Sequence, residues 1–259
     1  MSKIIVIANQ KGGVGKTTTS VNIATALAAA DKKVLLIDLD PQANASTGLG
    51  ISRGERKFTS YHLLIDGCTV GEAIMQSIVP GLSIIPSSIE LIGAEIELVD
   101  KHEREHCLRK MIEPYKNMFD YIFIDCPPSM GLLTLNALVC ADSVLVPLQC
   151  EYYALEGLSY LLNSIQKVRA NFNNSLKLFG VVLTMFDKRS GLCAQVAKDV
   201  RKHLKNKVFQ TVIPRNVRVS EAPSHGKPVL LYDVHSTGSK AYIGLAKEIL
   251  QQEKERIAA

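Results

Sequence analysis

Apolar positions along the chain follow two alternating rhythms. Short runs rich in β-branched residues, Lys3–Ala8, Val34–Asp38, Leu82–Pro86, Tyr121–Asp125, Ser143–Pro147 and Leu178–Leu183, are separated by stretches with apolar residues at helical spacing. Ile4-Ile5-Val6-Ile7 and Val34-Leu35-Leu36-Ile37 contain no polar alternation, as expected of strands covered on both faces. Helices are predicted over Lys16–Ala30, Leu132–Cys140, Ala154–Asn171, Leu192–Asn206 and Ser239–Gln252. In the first, Val21, Ala24, Leu27 and Ala28 share one face. Buried strands separated by helices specify an α/β fold: a doubly wound, mostly parallel sheet with helices on both faces. Gly48–Gly54 and Phe58–Gly81 follow neither rhythm and read as surface excursions. No repeat, low-complexity tract or linker rich in proline and glycine divides the chain, so one domain over residues 1–259 is expected.

Composition narrows the class. With 47% apolar residues the chain can fill a large core, but no apolar run approaches the roughly 18 residues of a membrane span. The run Ile4–Ala8 leads straight into Asn9, Gln10 and Lys11 and does not read as an export signal. A cytoplasmic, soluble protein is expected. The six cysteines stand apart, without a C-x-x-C pair, and read as reduced thiols. Charge is uneven. Between Lys188 and Lys227 ten basic residues face two acids, a local +8 in a chain whose total is +5, which leaves the remainder at −3. A basic face on a near-neutral body points to a polyanionic partner.

The chemistry concentrates in Lys11-Gly12-Gly13-Val14-Gly15-Lys16-Thr17-Thr18, between the first strand and the first helix. A strand, a glycine loop and a helix N-terminus aim backbone N–H groups at a phosphate chain that a Cβ would obstruct. This is a P-loop arrangement: Lys16 is placed for the β and γ phosphates, and Thr17 for Mg²⁺. It departs from the standard G-x-x-x-x-G-K-[ST] pattern, since Gln10 stands where the first glycine belongs and Lys11 adds a second lysine. Strand Val34–Asp38 leads to Asp38 and Asp40, and strand Tyr121–Asp125 ends in Asp125. Ligands of open α/β sheets collect at these carboxyl ends. Thr17, Asp38 and Asp125 form the candidate magnesium set, with Asp125 in the Walker-B position, and Asp40 is the candidate to place the attacking water. Strand-end capping is the alternative role for the three aspartates.

These strings, with Asp38-Leu39-Asp40-Pro41-Gln42-Ala43-Asn44 and Asp125-Cys126-Pro127-Pro128-Ser129, resemble the ParA/Soj family of deviant Walker-A partitioning ATPases. Gln149-Cys150-Glu151-Tyr152-Tyr153-Ala154-Leu155-Glu156-Gly157, Ile213-Pro214-Arg215-Asn216-Val217-Arg218 and Ser220-Glu221-Ala222-Pro223-Ser224-His225-Gly226-Lys227-Pro228 extend the likeness over nearly the whole chain, toward the Soj-like branch. The resemblance implies an ATPase using ATP and Mg²⁺ that closes into a homodimer around ATP, holds double-stranded DNA without sequence preference on the nucleoid, and partitions a chromosome or plasmid with a ParB-like centromere-binding partner stimulating hydrolysis. It implies that Lys11 reaches the nucleotide of the opposite subunit, that Gly12 faces that subunit, that Pro214 and Asn216 lie near adenine, that Glu151 lies near the partner's nucleotide, and that Arg189 and Arg218 contact DNA.

Pattern independently marks the basic region. In Leu192–Asn206, Val196, Ala197, Val200 and Leu204 form a core stripe, while Lys198, Arg201, Lys202 and Lys205 share another face. With no aromatic residues interleaved, duplex backbone is the expected target rather than unstacked bases. Residue 11 already lies in the loop, so no N-terminal DNA-reading domain is expected. The C-terminal stripe Tyr242, Leu245, Ala246 and Ile249 is suited to docking on the sheet, unlike the membrane helix of MinD-type relatives. Two other readings remain: an ATP-state regulatory switch on a replication or cell-cycle protein, and a metal-cluster scaffold ATPase.

Overall fold

The computed structural model describes residues 2–258; Met1 and Ala259, the ends of the expected domain, lie outside the described residues. One sheet holds β1 (Lys3–Ile7), β2 (Val34–Asp38), β3 (Met75–Gln76), β4 (Leu82–Ile85), β5 (Tyr121–Asp125), β6 (Ser143–Gln149), β7 (Lys177–Phe186) and β8 (Val208–Pro214). Their order is β3-β4-β2-β5-β1-β6-β7-β8. Among the described residues only β3 runs antiparallel to its neighbour. Around the sheet lie α1 (Lys16–Ala28), α2 (Asn44–Gly48), α3 (Ser60–Leu64), α4 (Val70–Ala73), α5 (Leu91–Glu97) and α6 (Cys107–Ile112). They are followed by α7 (Leu132–Cys140), α8 (Ala154–Asn171), α9 (Gly191–Leu204), α10 (Val217–Glu221), α11 (Val229–Tyr232) and α12 (Thr237–Ala258).

The unbroken apolar strands have the explanation their sequence required. Ile4, Val6 and Ala8 enter a core with Leu35, Ile37, Ile122 and Ile124 beneath α5 to α9. Ile5 and Ile7 enter a second core with Leu36 and Phe123 beneath α1 and α12. Successive residues of a strand point to opposite faces, so a strand that feeds two cores is apolar throughout.

Two strands escaped the sequence pattern, both at sheet edges. β8 contains Gln210 and Thr211, and only part of it is buried. Its outer backbone is closed by α12, whose Glu248 carboxylate accepts the N–H groups of Gln210 and Thr211 at 2.7 and 2.9 Å, which blocks a strand edge from pairing further. The expected excursion Phe58–Gly81 holds α3, α4 and β3, and Gly48–Gly54 holds the end of α2 and a 3₁₀ turn. Among the described residues no helix is long and apolar enough to cross a membrane.

Candidate nucleotide site

The central strands deliver the chemistry to one edge of the sheet. β1 leads into the glycine loop, and α1 starts at Lys16 behind Gly15 in left-handed conformation (φ 87°). Neither a side-chain cap nor an acid in the first turn neutralises that helix end, so its backbone donors remain available to an anion. Gly13 is also left-handed (φ 75°), and a Cβ there would meet nothing within 4 Å. That cradle is open where a phosphate chain fits. Gly12 is similarly roomy, with Pro128 Cβ 4.0 Å from the place its own Cβ would take.

Lys16 is buried, donates to the Lys11 carbonyl at 3.1 Å and has its pKa lowered by burial, an effect opposed by the charges of Asp125 and Asp40. Ile7 and Asp38 both stand beside Asp125 in register. Asp38 and Asp125 are therefore level on neighbouring strands. The Asp125 carboxyl is pushed up to about 7, chiefly by burial and then by the Asp38 charge, while the nearby Ser20 and Thr17 hydroxyls act the other way. One oxygen accepts the Ser20 hydroxyl at 2.7 Å; the other, Oδ2, is buried with no hydrogen-bond partner. Because an orphaned buried carboxylate oxygen is costly, this donor beside the Thr17 hydroxyl fits a hard cation, which oxygen ligands suit.

Asp38 is arranged differently. Its Oδ2 accepts both the N–H and the hydroxyl of Ser46, at 2.8 and 2.7 Å, and its Oδ1 accepts the Asp40 N–H at 3.2 Å. Burial raises it to about 6 despite those bonds. Both oxygens anchor the loop to α2, whereas Asp40, also buried, spends one oxygen on the Gln42 N–H at 3.0 Å.

Next to the loop a cavity of about 260 Å³ is lined by Gly15, Thr18, Met185, Pro214, Asn216 and Tyr242, among others. Asn216 is held firmly, capping α10 through the Val219 N–H and donating to the Thr237 hydroxyl at 2.7 Å. Thr184 fixes the loop from β7 by donating to the Val14 carbonyl at 2.8 Å. The larger cavity, about 780 Å³ between the C-terminal half of α1 and α12, is mainly apolar and far from the carboxylates.

Residues 2–178 match a family model described as an AAA domain. The chain is 55% identical to the sporulation initiation inhibitor protein Soj of Bacillus subtilis, over 96% of this chain and 98% of that protein. It is 53% identical to the chromosome partitioning protein ParA of Caulobacter vibrioides, over 99% and 97%. The chain belongs to the Soj/ParA family of chromosome-partitioning ATPases. A solved structure, described as cobyrinic acid a,c-diamide synthase of Mycobacterium smegmatis with bound ADP and magnesium, superposes with a TM-score of 0.85 at 34% identity, covering 98% of this chain and 96% of that one.

In this Soj/ParA chain the second lysine of the loop, Lys11, is half-exposed and ion-paired with Glu151 of the same molecule, from the segment after β6. The expected DNA residues divide into two groups. Phe186 and Pro214 are in register at the ends of β7 and β8, which brings the loops carrying Arg189 and Arg218 to one edge. Arg189 is exposed and braced by both oxygens of Asp187, at 3.1 and 3.0 Å; Arg218 is braced by Glu221 at 3.0 Å and Asp233 at 3.5 Å. Arg215 is exposed on the same edge, and its charge acts on Asp187. The other group runs down α9, a helix roughly 21 Å long at 1.5 Å per residue. Lys198 and Lys202 are exposed there, while Arg201 is half-buried and donates to the side chain and carbonyl of Gln210. The helix stops at Leu204 rather than Asn206, and Lys205, exposed but turned out of the helix with φ 47°, does not share the expected face.

Nothing in the sequence pattern singles out Ser20, Ser46, Thr184 or Arg215 for the site. Ser20 follows Lys16 by one helical turn, a spacing that puts both on the same helix face. Ser46 and Thr184 carry no local signal, because only the packing of α2 and β7 brings them in.

Proposed function

We propose that this ATPase joins two copies around Mg²⁺-ATP, holds duplex DNA on the Arg189–Arg215–Arg218 edge, and is reset when a ParB-like partner stimulates hydrolysis. The observation that carries the nucleotide reading is the buried, unpartnered Asp125 Oδ2 beside Lys16, Thr17 and the open glycine cradle. Bound Mg²⁺ would supply charge neutralisation on the phosphates, with Thr17 and Asp125 holding it and Asp38 fixing the adjoining loop. Lys16 is the cation for the phosphate chain and Asp40 orients the water. Pro214 and Asn216 flank the base.

Lys11 and Glu151 give up their mutual pair when a second copy arrives, and Lys11 then supplies charge across the interface. Position supports the DNA reading. Asn216, in the nucleotide cavity, caps the helix that carries Arg218, so nucleotide contacts and the arginine edge share one rigid element. Light scattering with ATP against ADP should give a doubled mass only with ATP. Filter binding should then show duplex DNA retained by that dimer and not by Arg218→Glu; binding untouched by substitution of Arg189 and Arg218 refutes the DNA assignment.

A second reading, an ATP-state switch acting on a regulatory protein, is favoured by the name of the Bacillus subtilis relative, a sporulation initiation inhibitor. It uses the same nucleotide site and differs in the protein that reads the dimer.

A further inference from the structure

We propose that α5 is the docking surface for a partner segment that is itself helical, apolar along one side and basic along its flanks. The inference rests on the partner-stimulated reading above and assigns that partner a place on this chain. α5 presents two apolar stripes. Leu91, Ala94 and Leu98 are fully buried in the core beneath it. Ile89, Ile92, Ile96 and Val99 lie about 150° away around the helix at 3.6 residues per turn, and are 62%, 51%, 73% and 52% exposed. Helical turns continue past both ends of α5, the Ile92 N–H donating to Ile89 and the Val99 N–H to Ile96, so the four side chains form one seam. Their spacing of three, four and three is that of helix pairing. Four branched side chains in line exceed the singly scattered apolar residues of an ordinary surface.

Charge decides the occupant. Around the helix the seam is bordered by Glu95 on one side and by Asp100, Glu97 and Glu90 on the other. Glu95 Oε1 is buried with no hydrogen-bond partner, and Lys101 is committed to Asp66 and the Leu64 carbonyl. A second copy would press these acids against their equivalents, whereas lysines or arginines flanking an apolar helix would pair with them.

Position gives the seam a consequence for hydrolysis. Ser88, Ile89 and Glu90 share a cavity of about 320 Å³ with Pro41, Gln42 and Arg56, next to the loop of Asp40. A Cβ on Gly131 would lie 2.2 Å from Glu95 Oε1, so the other border abuts the segment following Asp125. A segment seated here touches both carboxylate-bearing loops. The arginine edge lies elsewhere: β5, whose following segment Glu95 abuts, and β7 are three strand positions apart, roughly 14 Å at 4.8 Å each, so DNA and partner occupy separate surfaces.

The test uses full-length protein with Ile92→Ser/Ile96→Ser and, separately, the surface change Asp100→Lys. Probes are a fluorescent lysine/leucine helical peptide, its glutamate/leucine counterpart, and the ParB-like protein. Wild type should bind the basic peptide and not the acidic one. Both variants should bind it about tenfold or more weakly and lose partner-stimulated hydrolysis, while keeping basal hydrolysis, the ATP dimer and DNA retention. Equal binding of the two peptides overturns the inference, as does full partner stimulation of both variants. Loss of the ATP dimer in either variant overturns it by making the seam a contact between copies. If the ParB-like protein fails to stimulate wild type while the basic peptide binds only the intact seam, the partner reading fails and the docking surface stands.

Discussion

Asp125 and Asp38 are acids kept where charge is expensive, and pH should reveal it. Their carboxyls stand at about 7 and about 6 in the folded chain, against about 3.9 unfolded. The native state therefore binds more protons than the unfolded state between those values, and stability falls as pH rises through this window. Without nucleotide or metal, the melting temperature should climb on acidification from pH 8 toward pH 5.5. Asp125→Asn should flatten that climb, stabilise the free protein at pH 8 by on the order of 1–3 kcal/mol, and abolish magnesium-dependent hydrolysis. Calorimetry and phosphate release check the two halves; an unchanged pH profile in Asp125→Asn refutes the buried-charge account. Lys16→Ala should remove the phosphate cation and weaken ATP binding about tenfold or more, measured by titration with a fluorescent ATP analogue. Lys11→Ala should leave ATP binding intact and lose the ATP-dependent doubling in mass by light scattering, since its present partner, Glu151, is not a phosphate.

Among elements, the β7–β8 pair shows how a glycine can set strand packing. A Cβ on Gly180 would fall 2.5 Å from the Phe209 ring and 3.2 Å from the Lys207 carbonyl. Gly180→Ala should displace Phe209 from the core it shares with Phe179 and cost about 1–3 kcal/mol, read as a lower urea midpoint with unchanged slope. The same edge shows why local pattern missed β8. A strand that borders solvent mixes Gln210 and Thr211 with apolar residues, and its closure by Glu248 comes from α12, far along the chain. By contrast β1, β2 and β5, buried on both faces, were legible from their uninterrupted apolar runs.

Across the whole molecule, charge is sorted by position, with the arginine edge at the ends of β7 and β8 and the acid-bordered seam on α5 against the segment that follows β5. If Arg189, Arg215 and Arg218 of both copies neutralise one phosphate each, log K should fall against log salt with a slope of about −5.4. Arg218→Ala in both copies should reduce that slope by about 1.8, measured by DNA binding over a potassium chloride series. An unaltered slope places the duplex elsewhere, and a larger loss on removing the α9 lysines moves it along that helix.

Sequence alone determined the parallel layered architecture, the glycine cradle and the acids at strand ends. Each is written within a few consecutive residues: a run apolar on both faces, a loop without side chains, a carboxylate where the run stops. Only tertiary structure decided which acid is spoken for and which is free, since Asp38 is tied to Ser46 by the seating of α2 while Asp125 keeps one oxygen bare. It also decided that Arg201 turns to Gln210, that Arg215 joins the edge, and that one side of α5 stays uncovered. These depend on contacts between segments far apart in the chain, whose partners no local periodicity names.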